Sequence, residues 1–279
     1  MRITSPHNQK LKEIRKLRMR RRERERAGRF VAEGEDLLAA ADAAGWRAVE
    51  RFCATGSGLA GIEVEPGVLT GASGLASGTR ALAVYEEHWA PAPAGPLCVY
   101  LHGLHDPGNV GAVLRSAQAF GATCVVLGPG SADPFGPKAV RASMGAVFAV
   151  PLVRAVALSE LPGEKIALVA GARAPLAELS RPMPTPRAPD ATVCGEALIA
   201  LPTTALDQPP TPPSPHARTL LIGSEREGLP DEVIRQADHV AHIPIRTNSL
   251  NAAMAATVAL YELTRATSVA RTATRMAPR

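Results

Sequence analysis

Six apolar runs limit what this chain can fold into. They are LCVYLHGL (97–104), TCVVLG (123–128), AVFAVPLV (146–153), KIALVAGA (165–172), TLLIGS (219–224) and HVAHIPI (239–245). Helical stretches or long connections separate them. A strand that is apolar on both faces must be covered on both faces, so interleaved helices imply a mostly parallel α/β sheet. A shorter α/β pattern precedes this one. RFVAEG, WRAVERFCAT and ALAVYEE read as strands, and EDLLAAADAAG reads as a helix closed by Gly45. The Pro-rich stretch at 91–96 then divides an N-terminal domain, 1–90, from a C-terminal domain, 97–279. Residues 181–217, with RPMPTPRAPD and DQPPTPPSPHA, read as a Pro-rich insertion running over the surface.

Charge is concentrated at the start. Residues 1–29 hold twelve Lys or Arg against three Glu, a balance of +9 in a chain whose net charge is +5. A basic segment on a mildly acidic body calls for a polyanionic partner. The segment TSPHNQKLKEIRKLRMRRRERERAG predicts one helix, with Ser5 as its N-cap, Pro6 in its first position and Gly28 at its end. Its apolar stripe of Leu11, Ile14 and Leu17 is narrow and lacks the aromatic anchors of a membrane-surface helix, so nucleic acid is favoured. Lys16, Arg18, Arg20, Arg21 and Arg22 are the candidate RNA contacts. No apolar run reaches membrane-spanning length, and the charged N-terminus is unlike a secretory signal. Four scattered cysteines without CxxC spacing suggest reduced thiols in a cytoplasmic protein and no metal site.

GSGLAG (56–61) matches a dinucleotide-binding fingerprint, which requires a following helix to receive the pyrophosphate. Pro66 and Gly67 in the next stretch argue against that helix, so 56–61 is expected to be a plain loop.

Chemistry is expected at the C-terminal ends of the parallel strands. In HDPGNVGAVLRSAQAFGAT (105–123), Asn109 stands where a helix is expected to begin, and Val110, Val113, Leu114, Ala117 and Phe120 form one apolar face. Arg115 lies opposite, among alanines too small to fill space, which leaves room for a ligand or a backbone. Glu225 follows the fifth strand in LLIGSEREGLP. Ser249 and Asn251 follow the sixth in IPIRTNSLNAAMAATVALYE, with Asn251 expected in the first turn of an alanine-rich helix that packs closely.

These three segments, in this order, resemble the three motifs of the SpoU/TrmH RNA 2′-O-ribose methyltransferases of the SPOUT superfamily. The N-terminal stretch resembles the substrate-binding module often fused to them, similar in fold to a small ribosomal protein. The resemblance implies S-adenosylmethionine as cofactor, a deep trefoil knot formed by the ends of the fourth, fifth and sixth strands, and a homodimer. It places Gly171, Ile222, Gly223, Ile243 and Leu250 against the cofactor. Asn109, Arg115, Glu225, Ser249 and Asn251 would form the catalytic polar set. The chain departs from the family pattern in two places. Only Arg246, Thr247 and Asn248 separate IPI from SLN, and the 181–217 insertion interrupts the knot region.

Methylating a ribose 2′-OH requires the oxygen to be positioned and its proton to leave, with no metal needed. Guanidinium holds its proton too tightly to be a ready base, so Arg115 is read as a phosphate clamp that stabilises the developing alkoxide. His105, at the strand–loop junction, reads first as a loop histidine and only secondarily as a candidate base. Ribosomal RNA is the first expectation for substrate and tRNA the second. A non-catalytic RNA-binding or assembly factor is the alternative class.

Overall fold

The computed structural model describes residues 2–74, 78–179, 217–247 and 249–275, with side chains up to Arg265 in the last helix. Apart from Ala217, the expected Pro-rich insertion lies outside the described residues, as does Asn248. The chain divides into two compact units that do not follow chain order. One gathers Met1–Trp89, Leu104–Gln118 and Gly130–Leu152, and the other takes the remaining segments.

The first unit contains β1 (Arg2–Ile3), α1 (Gln9–Met19), α2 (Arg21–Ala27), β2 (Arg29–Glu33), α3 (Glu35–Ala43), β3 (Glu50–Ala54), β4 (Ile62–Val64), α4 (Pro66–Ala72) and β5 (Ala81–Glu86). To these it adds α5 (Pro107–Ala119), α6 (Pro137–Ser143) and α7 (Ala146–Ala149). Its sheet runs β1-β4-β3-β5-β2, with β5 antiparallel to both β2 and β3.

The expected single basic helix is two helices. The backbone turns extended at Arg20 (φ −128°, ψ 113°), and the N-cap is Asn8, whose side chain accepts from the Lys10 amide. Ser5 instead closes a turn with the His7 amide. Gly28 ends the second helix in the left-handed conformation, as expected. Leu11, Ile14 and Leu17 are buried against Val31, Phe52, Leu69 and Leu82. The apolar stripe is thus a piece of core.

The GSGLAG loop takes positive φ at Gly56, Gly58 and Gly61 and leads into β4. Contrary to expectation, Pro66 does not prevent a helix but begins α4, at the position where a missing N–H costs nothing.

The run AVFAVPLV also differs from its expected strand. Its first half is the helical turn α7, which buries Phe148, and only residues from Leu152 onward are extended. Phe148 joins Phe30, Trp46, Tyr85 and Phe135 in a cluster with ring centroids 4.7–6.4 Å apart. The Trp46 indole donates to the Phe148 carbonyl at 2.8 Å.

The second unit contains β6 (Leu97–Leu101), β7 (Cys124–Leu127), β8 (Leu152–Arg154), β9 (Glu164–Leu168), β10 (Ala174–Pro175), β11 (Arg218–Ile222), α8 (Asp231–Arg235), β12 (His239–His242) and α9 (Ala252–Arg275). The sheet order is β10-β12-β9-β11-β6-β7-β8, and every pair from β10 to β7 is parallel. Cys98, Tyr100, Cys124, Val126, Ala167 and Leu221 form the core on one face. Ala252, Ala253, Ala256, Ala259, Leu260 and Leu263 are the buried stripe of α9.

Within the first unit, α5 meets α6 at Gly111. A Cβ there would stand 2.4 Å from the Ala139 carbonyl oxygen and 2.7 Å from the Ala142 Cβ. Gly111→Ala should therefore destabilise the protein by about 1–3 kcal/mol through overpacking. Gly71→Ala, where a Cβ meets nothing within 4 Å, should be neutral or stabilising. Thermal and urea melts of the two variants check the contrast.

Candidate active site

Three neighbouring strands end almost level. Ala241 of β12 pairs with Leu168 of β9, and Leu221 of β11 pairs with Ala167. The segments that continue beyond the ladder, apolar after β9 and β12 and a polar GSEREG turn after β11, enclose a cavity of about 470 Å³. Val169, Ala170 and Gly171 come from β9; Ile222 to Leu229 from β11; and Ile243, Ile245, Ser249 and Leu250 follow β12. All five residues expected at the cofactor, Gly171, Ile222, Gly223, Ile243 and Leu250, line this one space.

The β11 overhang is a closed turn. The Ser224 amide donates to the Gly228 carbonyl at 3.2 Å, and the Gly228 amide returns a bond to Ser224 at 3.1 Å. The Ser224 hydroxyl accepts from the Glu227 amide. Gly228 has φ +69°, a conformation that suits glycine. Gly223 packs so tightly against the far side of the turn that a Cβ would lie 2.1 Å from the Gly228 carbonyl carbon. Glu225 is thereby held exposed at the rim of the cavity. At Gly171 the reverse holds, since a Cβ would meet nothing within 4 Å.

Ser249 lines the cavity, and its carbonyl accepts from the Thr247 hydroxyl at 3.3 Å. Asn251 is not in the first turn of α9 but caps it. Its side-chain oxygen accepts from the amides of Ala253 (3.0 Å) and Met254 (3.3 Å). Sequence reasoning missed Leu229, Ile234 and Asp231, which also line the cavity. The GLPDE stretch after Glu225 was the available signal, a turn leading into a helix.

Asn109 and Arg115 belong to the first unit, on α5. The helix begins at Pro107, not at Asn109, because Asp106 supplies the cap: its carboxylate accepts from the Gly108 amide at 3.0 Å. Lys138 lies 2.6 Å from the same oxygen. Its ammonium, with the amide bond, holds the Asp106 carboxyl below the usual aspartate range. Asn109 is half-buried in the first turn, and Arg115 is exposed opposite the buried Val110, Val113, Leu114 and Ala117.

On the basic helices, Lys16, Arg20, Arg21 and Arg22 are exposed, with Arg21 paired to Glu25. Arg18 turns inward, with an ion pair to buried Glu33 and a 2.8 Å bond to the Ala72 carbonyl.

Parallel strands whose carboxyl ends enclose a ligand-sized cavity define an α/β protein of the cofactor-binding type. Residues 96–261 match the SpoU rRNA Methylase family and residues 8–87 the MRM3-like substrate binding domain, and the chain belongs to the SpoU rRNA methylase family. It is 26% identical to the 23S rRNA (guanosine(2553)-2′-O)-methyltransferase RlmP of Bacillus subtilis, over 94% of this chain and 98% of that one. It is 35% identical to the 23S rRNA (uridine(2479)-2′-O)-methyltransferase of Streptomyces viridochromogenes, over 60% of this chain and 52% of the relative. A ribosomal RNA small subunit methyltransferase G 2 of Syntrophobacter fumaroxidans is 39% identical over 65% of this chain, which spans only 30% of that relative. Among solved structures, the AdoMet-bound rRNA methyltransferase of Sinorhizobium meliloti is similar with a TM-score of 0.74 and 26% identity, covering 95% of this chain and 97% of its own.

Gly171 and Gly223 carry opposite expectations. Gly171→Leu should fill the cavity yet leave the melting temperature within a few degrees of wild type. Gly223→Ala should break the Ser224–Gly228 turn and lower it. Differential scanning calorimetry of both variants separates blocking the cavity from dismantling it.

Proposed function

We propose that this protein transfers the methyl group of S-adenosylmethionine to a ribose 2′-hydroxyl of ribosomal RNA. The observation that carries the reading is the single cavity lined by Gly171, Ile222, Gly223, Ile243 and Leu250. Its chemistry suits the donor. Leu168, Ile222, Leu229, Ile234 and Ile243 offer apolar walls for an adenine ring, and Glu225, Glu227 and Asp231 offer carboxylates for a ligand with cationic groups. S-adenosylmethionine, when bound, supplies an electrophilic methyl group. We take the overhangs of β9, β11 and β12 to form the family's trefoil knot.

The remaining chemistry falls to the chain's own side chains. Arg115 is the clamp: its planar fork holds a phosphate next to the target ribose and stabilises negative charge growing on the 2′-oxygen as its proton departs. Asn109 orients the ribose. Glu225 and Ser249 stand at the cavity, and Asn251 sets the start of α9 that follows them. Lys16, Arg20 and Arg22 hold RNA by its phosphates, with Arg21 beside them. We assign Arg18 a structural role instead, because Glu33 and Ala72 already engage it. Six of the ten aromatic residues, Phe30, Trp46, Tyr85, Trp89, Phe135 and Phe148, are engaged with one another in ring contacts. RNA affinity in this reading therefore comes chiefly from phosphate contacts rather than stacking on aromatic platforms.

We propose a second copy of this chain as the protein partner. Met254, Val258 and Tyr261 recur at helical spacing on the outer face of α9 and are 62%, 40% and 54% exposed. A stripe of large apolar side chains at that spacing is suited to burial against another subunit. Among the described residues no helix is long and apolar enough to cross a membrane. A ribosomal RNA substrate, together with three buried free cysteines, supports a cytoplasmic setting.

Arg115→Ala should leave donor binding intact and lower kcat by about a hundredfold or more, as for a group used in the transition state. Arg115→Lys should not restore it, because a point charge does not reproduce the fork. A substrate RNA with a single 2′-deoxy nucleotide at the target should bind almost normally and accept no methyl group. Transfer onto that nucleotide would move the chemistry to the base.

The basic helices call for surface substitutions, since deleting α1 would remove core residues. Replacing Lys16, Arg20 and Arg22 together by Ala should weaken RNA binding and flatten its salt dependence. The log–log slope should change by about 2–3 if each side chain neutralises one phosphate. Filter-binding titrations across a salt series measure it, and an unchanged slope would show this face to be merely solvated.

A further inference from the structure

The first unit unites segments far apart in sequence, and buried charges join them. Arg24 is the one strongly buried arginine of the basic helices, 5% exposed. Its guanidinium reaches Asp133 through two nitrogens, at 2.8 and 2.6 Å, and donates to the Leu17 carbonyl at 2.6 Å. The other carboxylate oxygen of Asp133 accepts from the Phe135 amide, shaping the loop that enters α6. A second centre is Glu33, also 5% exposed. Arg18 of α1 pairs with it, both its oxygens accept from the Gly74 amide at 3.2 Å, and Arg141 of α6 stands 3.9 Å away. α6 in turn meets α5 through the cavity-free Gly111 contact and the Lys138–Asp106 pair at the α5 cap.

A path of direct contacts therefore runs from α1 and α2, through Asp133 and Glu33, to α6 and on to the helix bearing Asn109 and Arg115. Solubility is not the reason for the charges of Arg24 and Glu33, because both are buried. Shape-filling apolar residues would hold the segments together equally well. What a buried, charge-assisted pair adds, here with two guanidinium nitrogens on one carboxylate oxygen, is a defined relative geometry.

We propose that Arg24, Asp133, Glu33 and Arg141 are positioning residues. They make the RNA-gripping helices and the Arg115 helix one frame, so that docking the RNA phosphates sets the register of the target ribose against Arg115. The proposal rests on the reading above, in which α1 and α2 bind RNA and Arg115 acts on it. It assigns the coupling to residues that touch neither RNA nor cofactor.

The test compares full-length wild type, Asp133→Asn, Asp133→Glu and Arg115→Ala. Each is assayed with S-adenosylmethionine carrying a labelled methyl group and an unmodified transcript of 23S ribosomal RNA, alongside direct titrations of donor and transcript. Tryptophan fluorescence, from Trp46 and Trp89, and thermal melts report folding. Asp133→Asn should keep both dissociation constants within about twofold of wild type while kcat at saturation falls about tenfold to a hundredfold, the size expected of a small misplacement. Asp133→Glu, which restores the charge, should recover most of that loss. A kcat for Asp133→Asn equal to wild type overturns the proposal, and so does a loss matched by equal weakening of donor and RNA binding, which marks a purely structural pair. Should Asp133→Asn fail to fold, Arg141→Gln, at the more exposed end of the Glu33 cluster, is read by the same split between kcat and binding. Absence of transfer by wild type, or full activity of Arg115→Ala, sinks the underlying reading instead.

Discussion

The parallel ladder joining β12, β9, β11 and β6 sets the terms for everything else in the second unit. Its registers bring Leu168, Leu221 and Ala241 to nearly one level, so the segments that follow all leave the sheet at the same edge. Together the tails of β9, β11 and β12 enclose a cavity lined by backbone and aliphatic groups, with carboxylates at its mouth. The close Gly223 contact and the Ser224–Gly228 turn keep one wall from collapsing inward.

In the first unit, the corresponding constraint is the burial of charge. Removing one partner of a well-buried ion pair costs about 3–5 kcal/mol, because the other charge is stranded. Arg24 with Asp133 and Glu33 with Arg18 are therefore hard to separate once formed. The aromatic cluster around Phe30 reinforces them, as it draws Phe135 against Phe30, and Phe148 against Phe30, Trp46 and Tyr85, from another part of the chain. The scarcity of surface aromatics and the dependence on phosphate contacts are two consequences of the same allocation.

The family relationship and the geometry speak to different questions. Membership in the SpoU rRNA methylases identifies the chemistry to be sought, and the cavity gives the residues on which the proposed donor site is argued. Two of the relatives are named as 2′-O-methyltransferases of 23S rRNA and a third as a methyltransferase of the small-subunit rRNA.

Periodicity and residue type made the parallel sheet, the basic arm and the three polar motifs legible, because a doubly covered strand, a run of arginines and an Asn or Ser after a strand each have a local signature. All five residues expected around the cofactor fall in one cavity. The errors were also local in kind. Asn8 rather than Ser5 caps the first helix, Asp106 rather than Asn109 begins α5, and Pro66 starts a helix it was expected to forbid. Several polar residues in a row can each satisfy a helix end, and only the bonds actually made choose among them. AVFA became a helical turn because Phe148 is buried in an aromatic core assembled from distant segments. The grouping of α5, α6 and α7 with the N-terminal segments, and the inward turn of Arg18 and Arg24, left no trace in the local pattern. Sequence determines which side chains are available and how each stretch prefers to fold. Which charge is buried, and opposite which partner, is decided only when the tertiary structure brings remote segments within bonding distance.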